Sequence, residues 1–202
     1  MTSSLAAGPD GRRRCAWAAS APEYIAYHDD EWGRPITDDD GMYERLCLEG
    51  FQSGLSWLTI LRKRDNFRKA FAGFHIEKVA RFGPREVERL MSDAGIVRNR
   101  MKIEAAIQNA RVAASMDGSL AALVWSHRDG RTRAPRSFAD VPAITPASTA
   151  LSKELKKRGF RFVGPTTVYA TMQACGVVND HLAGCWVRGE ADRLVRGAAA
   201  GR

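Results

Sequence analysis

STALSKELKKRGFRFVGPTTVYATMQACG, residues Ser148–Gly176, reads as two helices and the turn between them. Ser148 can cap a helix that carries Leu151 and Leu155 inward, and Gly159 ends it. After the tight turn Phe160-Arg161-Phe162-Val163-Gly164, a second helix begins near Thr166 and stops at Gly176. Such a turn aims the free N–H groups and dipole of the second helix outward, beside Lys156, Lys157, Arg158 and Arg161, which suits a phosphate. Short turns between antiparallel helices are also common in proteins that bind no anion, so an ordinary helical hairpin is the competing reading.

The same punctuation recurs upstream, and alternating strand patterns are almost absent, so the chain reads as all-α. Thr37 and the acidic run Asp38 to Asp40 open a helix through Met42, Leu46 and Cys47 to Gly50. Ser56 starts another, with Trp57, Ile60, Leu61 and Phe71 largely on one face. Shorter helices are expected over His75–Arg81 and, with proline in the first turn, over Pro84–Met91. Helical spacing returns in Arg100–Met116 and Leu120–Trp125, while Arg128–Pro146 reads as irregular and Arg193–Arg202 as a frayed tail. The expected organisation is a flexible extension (1–13), a single unit of one or two helical lobes (14–188), and a tail (189–202).

The chain has 202 residues and is 45% apolar, enough to bury a sizeable core. No apolar run approaches the roughly 20 residues of a membrane helix, and MTSSLAAGPD lacks the apolar centre of a secretory signal, so a cytoplasmic protein is expected. Lys and Arg number 31 against 23 Asp and Glu, a net charge of +8. The basic residues cluster at Arg12–Arg14, Arg62–Arg64, Arg98–Lys102 and Lys153–Arg161. Clusters of this kind serve a polyanion partner or merely solvate helix faces.

Two sets of residues carry chemistry. Cys15, His28, His181 and Cys185 form a two-plus-two thiolate and imidazole set that could close a tetrahedral zinc site across the chain, with His181 and Cys185 one helical turn apart. Ordinary buried thiols and imidazoles are the alternative; Cys47 and Cys175 sit among apolar neighbours and read as core. The second set is Trp17, Tyr24, Tyr27, Trp32 and Trp57 with the carboxylate Glu49. Glu49 ends one apolar helix and Trp57 starts the next across a turn with two glycines. A flat cationic ring would gain stacking and cation–π attraction from the aromatics and a charge-assisted hydrogen bond from the acid. The opposing reading makes these rings core fillers and Glu49 a solvated helix-end charge.

Cys15-x-Trp17, Tyr24–Gly33 (YIAYHDDEWG), Leu48-Glu49-Gly50, Gly54-Leu55-Ser56-Trp57, Lys156–Phe160 (KKRGF) and Met172–His181 (MQACGVVNDH) together resemble the DNA-3-methyladenine glycosylase I family, constitutive alkylation-repair enzymes of the helix-hairpin-helix superfamily. The resemblance spans roughly Arg14 to Cys185. It implies a helix-hairpin-helix architecture with one structural Zn2+ joining the terminal segments through Cys15, His28, His181 and Cys185. It also implies a substrate, double-stranded DNA containing alkylated bases, from which N3-methyladenine is flipped out and released by hydrolysis. By the same resemblance, Glu49 is the catalytic-site carboxylate that hydrogen-bonds the base, and Tyr27 and Trp57 form the pocket, with Tyr24, Trp17 and Trp32 as further candidates. Lys157, Arg158, Val163, Gly164 and Thr166 are the expected hairpin contacts to DNA, and a monomer is expected. Two positions depart from the wider superfamily. Asn179 stands where many members carry a catalytic Asp, and Thr166 stands where bifunctional members carry a Schiff-base Lys, so no lyase activity is expected. The competitors are a non-catalytic, zinc-stabilised binder of damaged DNA and a small-molecule zinc hydrolase; the latter needs an open metal position.

Overall fold

The protein is described by a computed structural model covering residues 4–128, 130 and 133–200. Among the described residues ten α-helices carry the fold: α1 (Pro22–Asp30), α2 (Asp39–Gln52), α3 (Trp57–Ala70), α4 (Ile76–Val79), α5 (Pro84–Ser92), α6 (Arg100–Ala114), α7 (Leu120–Ser126), α8 (Pro146–Lys157), α9 (Pro165–Ala174) and α10 (Arg188–Ala200). The caps are those the residue types dictate. Asp38 accepts from the Gly41 N–H at 2.7 Å ahead of α2, and Ser56 accepts from the Thr59 N–H at 3.2 Å ahead of α3.

Helix α2 is the hub. Met42, Tyr43 and the run Arg45–Phe51 are all buried. A helix enclosed on so many sides must pack on several partners at once, and α2 meets α3, α6, α7 and α9. Its core contacts include Phe51, 4.7 Å ring to ring from Phe67 of α3. Tyr43 hides its hydroxyl by donating 2.9 Å to the Ala106 carbonyl of α6.

The hairpin forms as expected, with two shifts. Helix α8 is capped three residues earlier than Ser148, by Thr145, with Pro146 the first helical residue. Ser148 is instead the third position of a reciprocal capping box, with Thr145 N to Ser148 Oγ at 2.9 Å and Ser148 N to Thr145 Oγ1 at 3.0 Å. At its far end, Gly159 (φ +99°) supplies the left-handed residue of a Schellman closure, in which Phe160 N donates to Leu155 O and Gly159 N to Lys156 O, both at 3.0 Å. Helix α9 starts at Pro165, one residue ahead of Thr166, with Gly164 as its cap.

Four segments differ from the sequence reading. The expected flexible extension contains a short antiparallel ladder, Leu5–Ala7 (β1) against Arg13–Cys15 (β2), which an alternating pattern of three residues is too short to announce. The expected frayed tail is α10, whose Ala191 and Val195 are buried; small alanines at helical spacing carry a weak hydropathic signal but pack closely. Helix α1 was not foreseen because its buried face carries Tyr27, His28 and Asp29 rather than aliphatic residues. The expected helix over His75–Arg81 shrinks to the single turn α4.

Candidate active site and metal centre

Five elements converge on a cavity of about 380 Å³: the 3-10 turn Ala16–Ser20, α1, the end of α2, the start of α3, and α9. Trp17, Tyr24, Tyr27, Trp32, Glu49, Gln52, Trp57 and Gln173 are among its lining residues. The rings brace one another. Tyr27 lies 5.4 Å from Trp57, and Trp17 sits edge-on to Tyr24 at 5.4 Å and to Trp32 at 5.2 Å, leaving flat faces as a wall. The Trp57 indole N–H is buried with no acceptor among the described residues.

Glu49 is the acid of this cavity. It is only 6% exposed, and among the described residues no group hydrogen-bonds its carboxyl. Burial therefore pushes its pKa up to about 8, with Arg45, one turn back on α2, pulling weakly the other way. Arg45 itself donates to Glu31 at 2.8 Å, and Arg64 clamps the same carboxylate, so Glu31 stays ionised against its burial and the charges behind the cavity are neutralised in place. Tyr27 is held neutral, first by burial and then by the Glu49 charge.

Beside this cavity lies the second set. Cys15, His28, His181 and Cys185 are all buried, and their ligand atoms lie within 4.8 Å of one another. His28 Nε2 is 3.2 Å from His181 Nδ1, and Cys185 Sγ is 3.5 and 3.7 Å from those two nitrogens. A tetrahedral zinc with ordinary bond lengths sets these edges at about 3.3 Å for N to N and about 3.6 Å for N to S, so the donors fit such an ion. The outer contacts assign the free nitrogens. His28 Nδ1 faces Asp29 at 2.8 Å and His181 Nε2 faces the Trp32 carbonyl at 3.0 Å, leaving Nε2 of His28 and Nδ1 of His181 as the lone pairs that point together. Asp29 is in turn clamped by Arg14 at 2.7 and 3.0 Å. Trp17 touches both sites, 5.2 Å from the His28 ring and 6.3 Å from Tyr27.

The profile of the methyladenine glycosylase family matches residues 17–188, a span that holds the aromatic cavity, Glu49, the helical hairpin and three of the four Cys2His2 residues. The chain belongs to the methyladenine glycosylase family. DNA-3-methyladenine glycosylase 1 of Escherichia coli (strain K12) is 51% identical over 178 residues, spanning 85% of this chain and 95% of that protein. A crystal structure of 3-methyladenine DNA glycosylase I superposes with a TM-score of 0.82 at 50% identity, covering 86% of this chain and 98% of that one. The 3-methyladenine DNA glycosylase I of Staphylococcus aureus, solved for the structural basis of 3-methyladenine recognition, superposes with a TM-score of 0.82 at 36% identity, covering 87% and 96%.

In this glycosylase the hairpin turn is held rigid. Asn109 of α6 takes both backbone groups of Arg161, N to Oδ1 at 2.7 Å and Nδ2 to O at 3.0 Å, and Ser152 Oγ donates to Val163 O at 2.6 Å. Phe162 is thereby kept at φ +56°. Gly164, Thr166 and Thr167 present N–H groups with no acceptor among the described residues, and Lys157, Arg158 and Thr166 are exposed. Val163 is buried, so its side chain belongs to the core. Among the described residues the other basic clusters do more structural work than Lys153–Arg161, in which Arg158 pairs with Glu154 at 2.7 Å. Arg14 clamps Asp29, Arg62 pairs with Glu23, Arg64 with Glu31, Arg100 with Glu88, and Lys102 caps the end of α2 through Phe51 O at 2.8 Å and Ser53 O at 2.5 Å.

Sequence reasoning passed over Gln52, Gln173 and Asn109; a neutral amide has no signature until the helices that carry it are docked. The two departures also acquire partners. Asn179 spends its amide on Asp192 at 2.6 Å, Arg188 O at 3.3 Å and the His181 N–H at 3.2 Å, so it ties α10 to the metal cluster. Thr166 is the second residue of α9, and the cavity lining includes no lysine among the described residues.

Proposed function

We propose that this chain excises N3-methyladenine from duplex DNA by hydrolysing the N-glycosidic bond, without lyase activity. The observation that carries the proposal is the buried, unpartnered carboxyl of Glu49 on the wall of an aromatic cavity. A duplex base reaches such a cavity only when extruded, and an alkylated base is the least costly to extrude because its stacking and pairing are already weak. The free N–H groups at the start of α9 and the exposed Lys157 and Arg158 support the hairpin as the grip on the phosphate backbone.

Inside the cavity, Tyr27 and Trp57 supply π faces to a cationic ring, and Glu49 supplies the only acid among the described lining residues. The carboxyl is largely protonated in the empty site at neutral pH; a cationic purine opposite it draws its pKa down and favours a charge-assisted bond. Breaking the glycosidic bond sends its electron pair to the base, which leaves neutral and needs no prior protonation. Water adds to the sugar carbon as positive charge develops there and gives up one proton to solvent, while the flanking phosphates and the Glu49 carboxylate stabilise that charge. Asn179 offers no base for this water, consistent with a leaving group that carries its own activation.

Cys15, His28, His181 and Cys185 would hold a single zinc ion. With four protein donors such an ion supplies cross-linking rather than Lewis-acid chemistry, which favours a structural metal over a hydrolytic one. Among the described residues no helix is long and apolar enough to cross a membrane, and we place the enzyme in the cytoplasm as a monomer, to be checked by its solution mass. Mass spectrometry of bases released from methylated DNA tests the proposal. Wild type should release 3-methyladenine, while Glu49→Gln and Trp57→Ala should lose release and keep most duplex affinity. Duplex binding with no base release from wild type would leave a non-catalytic damage binder instead.

A further inference from the structure

One polar side chain of the cavity has its orientation dictated from behind. Gln173 lines the cavity from α9, and its Nε2 donates 2.9 Å to Asp180 Oδ2; the buried Tyr169 hydroxyl donates to the same oxygen. Asp180 is itself buried. A carboxylate accepts only, so the nitrogen of the Gln173 amide faces Asp180 and the amide cannot be turned over without facing two acceptors together. The remaining end, Oε1, has no donor among the described residues and belongs to a side chain that faces the cavity. The site thus presents a fixed acceptor from α9 in addition to the Glu49 carboxyl from α2.

Resting on the reading above that an alkylated adenine occupies this cavity, we infer that Gln173 is a specificity residue whose Oε1 accepts a hydrogen bond from the exocyclic amino group of the base, with Asp180 and Tyr169 as the positioning residues that hold the acceptor inward. An amino group carries two N–H donors, so Glu49 and Gln173 do not compete for it. A 6-oxo purine places an acceptor at the same point. Its lone pairs then face those of Oε1, and the pairing that would rescue it requires Gln173 to leave Asp180. A site built around a fixed hydrogen-bond partner rejects an analogue that lacks it far more firmly than a purely apolar slot does. Discrimination between 6-amino and 6-oxo purines is therefore assigned to the back of α9.

Binding of two free bases, 3-methyladenine and 3-methylhypoxanthine, read by quenching of the cavity tryptophans, separates the possibilities. The zinc-loaded wild type should prefer the amino base by about tenfold or more. Gln173→Leu should bring the two affinities within about threefold, mainly by weakening 3-methyladenine. Asp180→Asn frees the amide to turn and should shift preference toward the oxo base. Because Asp180 adjoins His181, metal content is measured alongside, and if Asp180→Asn loses its metal the inference stands or falls on Gln173→Leu. A wild-type ratio retained in Gln173→Leu overturns the inference. Failure of wild type to release 3-methyladenine from methylated DNA overturns the underlying reading instead, so the two failures are distinct.

Discussion

Glu49 sits where a carboxylate is costly, and that cost gives a pH signature. Its folded pKa near 8 lies above the ordinary carboxylate value of 4.5, so the stability it contributes is fully present below about pH 4.5 and is lost as pH rises through 8. Glu49→Gln removes the titration. Relative to wild type, the variant should gain about 3 kcal/mol of unfolding free energy between pH 5 and pH 8.5, measured by urea denaturation of the metal-loaded proteins. An unchanged difference across that range would mean the carboxyl is solvated. The same substitution should lower base release by about a hundredfold or more, since it removes the charge that meets a cationic ring. A gain in stability coupled to a loss of turnover is the mark of a residue kept for function. That a carboxylate ends α2 just before the next aromatic was legible from the run Leu48-Glu49-Gly50. That Gln173 lines the same cavity was not, because an uncharged amide acquires a role only from what lies behind it.

Between elements, the decisive contact is the close approach of the Gly33–Pro35 segment to the end of α9. Gly176 adopts φ +70°, and a Cβ there would lie 2.8 Å from Gly33 O and from the Arg34 and Pro35 backbone. Gly176→Ala should therefore cost about 2 to 4 kcal/mol of stability by thermal or urea unfolding, combining left-handed strain with a clash that no side chain can relieve. Gly164 has open space where its Cβ would go, so Gly164→Ala should cost under about 1 kcal/mol and report instead on how closely DNA approaches the hairpin. At that hairpin, Lys157→Ala should weaken duplex binding similarly for damaged and undamaged DNA and reduce the slope of log affinity against log salt by about one. An unaltered slope would place the DNA elsewhere. The two helices of this hairpin were readable from caps and glycines, whereas its stiffness comes from Asn109, 52 residues upstream of Arg161 and silent in sequence.

Across the whole molecule, the Cys2His2 cluster gathers a residue of β2, one of α1 and two from the loop before α10, joining both ends of the chain. Chelation should therefore lower the unfolding temperature by ten degrees or so and loosen the first and last segments in hydrogen exchange, with turnover falling in step with the folded fraction. Loss of turnover from fully folded, metal-free protein would make the ion catalytic. Helix periodicity, caps and the terminal glycines determined the helical class and most boundaries, because these are local terms set within a few residues. The donor types of the metal set and the acid of the cavity were equally present in the chain as chemistry. What only the tertiary structure decided is which basic residues are free, which amide lines the cavity, and how β1, β2, α1 and α10 settle at the termini. Those outcomes depend on burial and pairing between distant segments, and desolvation has no value for a residue until its neighbours are in place.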